Sequence, residues 1–174
     1  HQVVSLQYHK FTGEAWERLV HPYQLRQYNN RWFLVGWEPA VAAKIPLVVI
    51  PLDRIDDYTV LEKESYEPYE GDIDACFKYI VGVSLKFNES CSHIVFKAYP
   101  PTSSYIETKP IHHSQRIVER HEDYTIFSLD LIPNYEFETI MMSYADNCEI
   151  LEPQDLKESL VCRAKNIIKF NVGQ

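Results

Sequence analysis

Basic and aromatic side chains are crowded into residues 21–37, and their types suit the binding of a flat or anionic ligand. Arg26 and Arg31 lie five positions apart, and Trp32 follows directly. A guanidinium pairs with phosphate oxygens through a planar fork and also stacks on aromatic rings. The stretch therefore predicts a site for a phosphate or a nucleobase, while a purely structural hairpin would also carry aromatic residues.

Two further residues extend this candidate set, and each has a structural alternative. Arg54 provides a third guanidinium, which either binds an anion or pairs with Asp53 or a nearby carbonyl to lock a bend. His21 is either a polar, pH-sensitive contact to the ligand or a strand residue whose ring is satisfied within the fold. The residue types alone leave both alternatives open.

Aromatic rings in the same stretch are either stacking surfaces or core residues. Tyr23, Tyr28, Trp32 and Trp37 are the candidates, and stacking of a base on a ring contributes roughly 1–3 kcal/mol. Successive strand residues face opposite sides of a sheet, so Trp32 and Phe33 cannot both point inward. We expect Trp32 to lie near the ligand.

The charge of the chain is negative overall and uneven along its length. A net charge of −8 excludes the electrostatic footprint of a strong duplex-DNA binder. Residues 18–54 nevertheless carry five basic and two acidic side chains, a local balance of +3, whereas residues 66–75 carry four acids and no base. Because the local sign decides where an anion binds, the first of these stretches is the expected site.

Catalytic and metal chemistry find little support in the residue pattern. No Gly-x-Ser-x-Gly motif is present, and the four cysteines form neither a Cys-x-x-Cys pair nor a zinc-ligand spacing. His112 and His113 are adjacent, and neighbours on a strand point to opposite faces. We expect no catalytic residue, no metal, no cofactor and no membrane segment. Four reduced thiols are expected in a cytoplasmic protein.

Short strands separated by turn residues predict a small β-barrel in the first half of the chain. The predicted strands cover residues 3–11, 16–28, 32–37, 47–50 and 58–61, and residues 12–14 form the first turn. Asn29-Asn30 is expected to form a tight hairpin turn, since Asn tolerates a positive φ. Pro22 lies within the second strand and predicts either an edge position or a bulge, because proline cannot donate to a ladder.

The second half of the chain has a mixed pattern, so the fold class is α+β. Residues 62–72 are charged and contain proline, which places the domain boundary there and predicts domains at 1–64 and 73–174. The predicted helices cover residues 74–79, 102–108, 135–144 and 153–165, with Thr102 and Asn134 as caps. The predicted strands cover residues 81–87, 93–99, 115–118, 124–131 and 149–151. From residue 93 the order is that of a ferredoxin-like sandwich.

Several of these motifs together resemble a known family. Arg31-Trp32-Phe33-Leu34 resembles the Trp-Tyr-Leu signature of WYL domains, with Phe33 at the Tyr position. His21-Pro22-Tyr23-Gln24-Leu25 and Leu52-Asp53-Arg54-Ile55 resemble the strands on either side of that signature. The second half is similar to the WCX extension, through Ile111-His112-His113-Ser114-Gln115 and Ile150-Leu151-Glu152-Pro153.

This resemblance implies a fold and a function. The family implies an Sm-like, SH3-type barrel followed by a ferredoxin-like domain, in bacterial transcriptional regulators that often form homodimers. Its WYL domain is regarded as a sensor that binds a nucleic-acid or nucleotide-like ligand in a basic and aromatic groove. The chain begins at His1 and contains no helix-turn-helix. We therefore expect a fragment that reaches duplex DNA only through a missing N-terminal winged helix-turn-helix.

The ligand set implied by the resemblance includes a residue in a loop. Family members often have an arginine shortly before the Leu-Asp-Arg-Ile strand, and Lys44 is the candidate replacement here. The expected ligand is a single-stranded nucleic acid or a nucleotide second messenger. The expected ligand-binding residues are His21, Tyr23, Arg26, Arg31, Trp32, Lys44 and Arg54. The alternative is a protein-interaction module that binds no small ligand. An enzyme is not expected.

Overall fold

The computed structural model describes residues 1–10 and 13–173. In this structure the chain divides into two compact units, His1–Cys76 and Phe77–Gln174. One sheet has five strands and the other has four, and every strand pair in both is antiparallel. The predicted α+β class is therefore confirmed. Phe11, the predicted end of the first strand, and Thr12, in the predicted first turn, lie outside the described residues.

The five-stranded sheet of the first unit has the order β4-β3-β2-β1-β5. Its strands are β1 (Val3–His9), β2 (Ala15–Tyr28), β3 (Arg31–Trp37), β4 (Val48–Pro51) and β5 (Ile55–Leu61). A 3-10 turn, Leu52–Arg54, connects the last two strands. Within the described residues β4 and β5 are the two edges and do not pair with each other. A closed barrel is therefore not found among the described residues.

Strand β2 spans 14 residues and joins two pairings end to end. Its first part pairs with β1 and its second part with β3, and the register with β3 shifts between Pro22 and Gln24. The bulge predicted at Pro22 is confirmed, and Pro22 is also paired on one side only, with β3, because the pairing of β2 with β1 ends at Val20. Gly36 lies opposite Pro22, where a Cβ would come within 2.6 Å of the His21 carbonyl oxygen.

Alternation along four strands forms the core of the first unit. Its buried members are Leu6, Tyr8, Val20, Leu34, Val48 and Ile50. Burial of each such side chain contributes roughly 1.5–3 kcal/mol. Leu34 belongs to this core, and Val35, on the opposite face of the hairpin, is also fully buried.

The turn between β2 and β3 forms as predicted. Asn29 and Asn30 have φ angles of 48° and 60°, which are the left-handed values that a two-residue hairpin connection requires. Arg31 follows this turn directly as the first residue of β3. The turn therefore fixes which face of the sheet each side chain near it occupies.

The four-stranded sheet of the second unit has the order β7-β8-β6-β9. After α1 (Ile73–Phe77) come β6 (Ser92–Ala98), α2 (Thr102–Thr108), β7 (Arg116–Arg120), β8 (Thr125–Leu131), α3 (Tyr135–Ser143), β9 (Cys148–Glu152) and α4 (Gln154–Val172). The predicted element order from residue 93 is confirmed. The terminal helix extends seven residues beyond its predicted end at residue 165. None of the described helices combines the length and the apolar character that crossing a bilayer requires.

Two helix caps were predicted, and one of them is present. Asn134 accepts a hydrogen bond from the Phe137 N–H at 3.0 Å, so its side chain caps α3. Thr102 is the first helical residue of α2 rather than its cap, and Pro101 in the cap position has no side-chain hydrogen bond to offer. The prediction for Thr102 is therefore wrong.

The strand predicted at residues 81–87 is absent from the described structure. Its alternation of apolar residues resembles a strand, but Gly82 has a φ of 73°, which interrupts an extended backbone. The N–H groups of Val83 and Ser84 donate instead to the Glu136 carboxylate, at 3.3 and 3.1 Å. Val81 and Val83 are buried without any sheet pairing, so the alternation reflects burial in a turn.

Candidate functional site

The β2–β3 hairpin has two faces, and the register divides the candidate residues between them. Arg26 lies opposite Phe33, and Tyr28 lies opposite Arg31. These four residues share one face, which we call the arginine face. The opposite face carries Leu25, Gln27, Trp32 and Leu34. We call it the tryptophan face.

On the arginine face, Arg26 forms an ion pair with Asp74. Arg26 Nη1 donates to Asp74 Oδ1 at 2.6 Å and to Gln24 Oε1 at 3.1 Å. Gln24 Nε2 donates to the same Asp74 oxygen at 3.3 Å. The hydrogen bond from Arg26, followed by that from Gln24, lowers the pKa of the Asp74 carboxyl group below 3.8. The Asp74 side chain is 72% exposed, so solvent screens this pair strongly.

Arg31, on the same face, forms an ion pair with Asp53. Its Nη2 atom donates to Asp53 Oδ2, and this hydrogen bond is the main reason that the pKa of Asp53 is lowered. Asp53 lies in the 3-10 turn, one residue before Arg54. Arg54 Nη1 instead donates to the Tyr8 hydroxyl at 3.3 Å. The hydrogen-bonded partner of Asp53 is therefore Arg31 and not its neighbour Arg54, which points toward a residue of the core.

His21 and Tyr23 contact a segment that follows the sheet. His21 is 4% exposed, and its Nδ1 accepts a hydrogen bond from the Glu67 N–H at 2.9 Å. The Tyr23 hydroxyl donates to the Glu67 carbonyl oxygen at 2.9 Å. Burial, followed by the nearby Tyr66, raises the pKa of Tyr23 to about 12, so the hydroxyl keeps its proton and remains a donor. In this structure the side chains of His21 and Tyr23 therefore bind the backbone of Glu67.

The rings around His21 pack against one another. The His21 ring lies 4.7 Å from that of Trp37, and the Tyr23 ring lies 5.7 Å from that of Tyr69. These centroid distances are typical of paired aromatic rings in protein interiors. Two of the predicted stacking surfaces, Tyr23 and Trp37, are thus engaged with aromatic residues of the same unit.

Trp32 and Lys44 lie apart from the arginine face. Trp32 is 48% exposed on the tryptophan face, beside the exposed Leu25. Lys44 is exposed in the loop between β3 and β4. The structure therefore brings Arg26 and Arg31 onto one face and His21 and Tyr23 onto one segment, and it does not gather all seven predicted residues at a single place.

Asp74 is a functional candidate that the residue pattern did not single out, and Asp53 was considered only as a partner of Arg54. Each one neutralises an arginine of the predicted site. The available signal was the run of acids at residues 66–75, whose charge is complementary to the basic stretch before it. The predicted boundary at residues 62–72 includes only part of that run, and Asp74, which the prediction places in the second domain, makes its contacts within the first unit.

The second unit contains a cavity of about 220 Å³ between α3, β9 and α4. Its lining is mainly apolar and includes Met141, Ile150, Leu160 and Val161. His112, whose metal binding is not expected from the sequence, is hydrogen-bonded to the Ser114 hydroxyl and to the Lys78 carbonyl. Among the described residues no group of three His, Cys, Asp or Glu side chains is arranged to hold a metal ion.

Solved structures similar to this chain include two that align with almost all of it. Proteasome accessory factor B/C (PafBC) of Arthrobacter aurescens matches with 18% identity and a TM-score of 0.41, over 99% of this chain and 26% of that one. A CRISPR Cas-related protein matches with 12% identity and a TM-score of 0.54, over 98% of this chain and 48% of that one. The chain thus spans between a quarter and a half of these proteins, and the second likeness is one of fold alone. No curated protein matches significantly.

Family models match both units. The model of the WYL domain matches residues 1–60, and the model of the WCX domain matches residues 92–168. The first match contains both strands of the hairpin, and the second contains the four-stranded sheet. The resemblance inferred from the short motifs is confirmed, and the chain belongs to the WYL-domain family, with a WCX domain after its WYL domain.

Proposed function

We propose that this chain is the ligand-sensing region of a bacterial transcriptional regulator. In this proposal a single-stranded nucleic acid or a nucleotide second messenger binds at the arginine face of the β2–β3 hairpin. The WYL and WCX matches support a regulatory, ligand-sensing role. The observation that carries the choice of site is that Arg26 and Arg31 share one face of a two-stranded ribbon.

The finer fold assignment is part of the same proposal. The open order β4-β3-β2-β1-β5 with a long β2 supports an Sm-like, SH3-type sheet, in a sensor domain at residues 1–64. The order β7-β8-β6-β9 with two intervening helices supports a ferredoxin-like domain at residues 73–174. The regulator would act as a homodimer and would contact duplex DNA through a winged helix-turn-helix outside this chain.

The arginine face offers donors and a ring at compatible positions. Phe33 lies directly opposite Arg26 and two residues after Arg31, so a base on its ring would leave the phosphates near both guanidinium groups. Each charge-assisted hydrogen bond contributes about 1.5–3 kcal/mol, and stacking of one base contributes roughly 1–3 kcal/mol. Both arginines already hold aspartates, which shows that each guanidinium can reach an anion.

Arg26 and Arg31 are tested with the Arg26→Ala/Arg31→Ala double variant. Its affinity is measured by fluorescence anisotropy with labelled oligothymidylate, oligouridylate and a cyclic dinucleotide. We expect binding of at least one probe to fall at least tenfold, because two phosphate contacts are lost. Arg120→Ala is the matched control, since it removes an exposed arginine that is also ion-paired, with Glu107, in the second unit. Equal binding by the double variant and the wild type would exclude this site.

A protein-interaction module is the second candidate function. Leu25 and Trp32 are 56% and 48% exposed on the tryptophan face and form an apolar surface beside the hairpin turn. Such exposed apolar residues are typical of protein-binding surfaces. This function predicts a partner whose binding depends little on salt and is lost in Leu25→Ser and Trp32→Ala. Salt-sensitive binding of nucleotides that both variants retain would favour the sensor instead. Under either candidate the chain is not an enzyme.

A further inference from the structure

An acidic segment of the first unit covers part of the proposed site. We call residues 66–76 the acidic strap. It carries four acids and no base, and its acidic members are Glu67, Glu70, Asp72 and Asp74. The strap has no regular secondary structure before α1 begins at Ile73. Its position therefore depends on individual side-chain contacts.

The beginning of the strap is attached to β2 by three hydrogen bonds. The Tyr66 hydroxyl donates to the Pro22 carbonyl at 2.9 Å. The Glu67 N–H donates to His21 Nδ1, and the Glu67 carbonyl accepts from the Tyr23 hydroxyl, both at 2.9 Å. These bonds use groups within and beside the bulge of β2. They hold the strap against the hairpin at a point well before Asp74.

The end of the strap places one carboxylate on Arg26. Asp72 Oδ1 accepts from the N–H groups of Asp74 and Ala75, at 2.9 and 3.2 Å, and so orders the start of α1. Asp74 Oδ1 then accepts from both Arg26 Nη1 and Gln24 Nε2. One oxygen with two converging donors has the same hydrogen-bonding arrangement that a phosphate oxygen would adopt there.

We propose that the acidic strap is a built-in competitor, in which the Asp74 carboxylate occupies the position that a ligand phosphate takes at Arg26. This inference rests on the proposed function and adds its regulation. A ligand must exchange Asp74 for its own phosphate, and released Asp74 becomes free to move with the strap. The binding event is thereby coupled to the segment that leads into the second unit.

The energetics favour exchange over permanent closure. Exposed ion pairs of this kind are weak and are screened by salt. A backbone phosphodiester carries one negative charge and two free oxygens, as a carboxylate does, so the further contacts of the ligand with Arg31 and Phe33 are what favour its exchange for Asp74. Asp74 also repels a neighbouring phosphate while it remains close. The strap is therefore expected to weaken ligand binding without preventing it.

The test compares two neutralising substitutions in the same segment. Asp74→Asn removes the charge that contacts Arg26, and Glu70→Gln removes one charge from an exposed residue of the strap that has no described contact with Arg26. We expect Asp74→Asn to tighten the binding of labelled oligothymidylate at least about threefold, which exceeds the small effect of losing one distant charge. Glu70→Gln should change it less than half as much. In an Arg26→Ala background, Asp74→Asn should give no gain beyond that of Glu70→Gln.

The possible outcomes separate this inference from the function on which it rests. If wild type binds the probe and the two neutralised variants bind equally well, the competitor role is overturned while the sensor function stands. A gain from Asp74→Asn that persists without Arg26 also overturns it. If neither wild type nor Asp74→Asn binds oligothymidylate, oligouridylate or the cyclic dinucleotide, the proposed function fails and the inference fails with it. Selective tightening that requires Arg26 supports both.

Discussion

Arg26 and Arg31 make contacts within the fold and are also the arginines of the proposed ligand site. Each donates to an aspartate that comes from a different part of the first unit, Asp74 for one and Asp53 for the other. Exposed pairs of this kind contribute little to stability, so their value to the fold is small. For the proposed ligand site the two pairs matter more, because they hold two guanidinium groups on one face of the hairpin.

The ion pair of Asp74 has a consequence for its titration. Arg26 is the main reason that the pKa of Asp74 is lowered, so the Arg26→Ala variant should show a higher Asp74 pKa than the wild type. Since the folded-state pKa is the lower one, the pair stabilises the fold above pH 3.8, and this contribution is lost as the pH falls through the depressed pKa. Carboxyl ¹³C NMR titrations of both proteins measure the change.

Asp53 is the internal control for that titration. Its pKa is lowered mainly by Arg31, so it should be unchanged when Arg26 is replaced. An Asp74 pKa that is the same with and without Arg26 would show that the pair does not persist in solution. The competitor role of the strap would then lose its structural basis.

At the scale of elements, the hairpin turn determines the register on which the proposed site depends. Asn29 and Asn30 adopt left-handed angles, and the next residue, Arg31, is thereby directed to the same face as Tyr28 and Arg26. A slip of one residue in β3 would move Arg31 to the tryptophan face and Trp32 to the arginine face. The bulge at Pro22 has a comparable effect further along β2, since it changes the pairing before Gln24.

Substitutions of Asn30 should separate backbone conformation from side-chain chemistry. Asn30 has a φ of 60°, which glycine adopts freely and alanine does not. Asn30→Ala should lower the free energy of unfolding by about 1 kcal/mol, and Asn30→Gly should leave it within about 0.5 kcal/mol of wild type. Urea unfolding followed by tryptophan fluorescence reports on the first unit alone, because Trp16, Trp32 and Trp37 are the three tryptophans of the chain. Equal stability of the two variants would contradict the left-handed turn.

At the scale of the whole molecule, local and overall charge act in opposite directions. The net charge of −8 repels an anionic ligand over long distances, whereas in the proposed function the arginine face attracts it at short range. Some of the local positive charge is also neutralised internally, since Arg18 pairs with Glu38 and Arg31 with Asp53. Binding should therefore depend on few contacts, and its salt dependence should be shallow for a nucleic-acid ligand.

The salt dependence gives a quantitative expectation. Two phosphate contacts to a single strand predict that the logarithm of the binding constant falls with the logarithm of salt concentration with a slope of about −1.4. The Arg26→Ala/Arg31→Ala variant should show a slope of zero or slightly above, because these two contacts release no counterions and salt screens the repulsion between ligand and protein. Anisotropy titrations of oligothymidylate over a range of salt concentrations measure both slopes. A steep slope that survives in the double variant would place the phosphate contacts elsewhere.

Local features of the fold were predictable because they depend on neighbouring residues. Asn29-Asn30 specifies its turn through backbone angles, and Asn134 caps α3 through a hydrogen bond three residues away. The element order of the second unit follows from alternating apolar residues and from helix-start signals. The strand predicted at residues 81–87 is wrong because alternating apolar residues indicate burial and not necessarily a strand. In that segment Gly82 was the one residue whose type indicated a turn. The predicted cap at Thr102 is wrong by one position, because Pro101 is the N-cap residue of α2.

The amino-acid sequence by itself determined the family, the hairpin and the identity of the arginines, since these reside in short motifs. Only the tertiary structure decided what those arginines face. Arg31 and Asp53 are 22 residues apart, and Arg26 and Asp74 are 48 residues apart. No local pattern specifies such partners, because they meet only after the strands have paired and the acidic strap has closed onto β2. Tertiary structure also placed Trp32 on the face opposite the two arginines, because strand pairing and the turn together set the register of the hairpin.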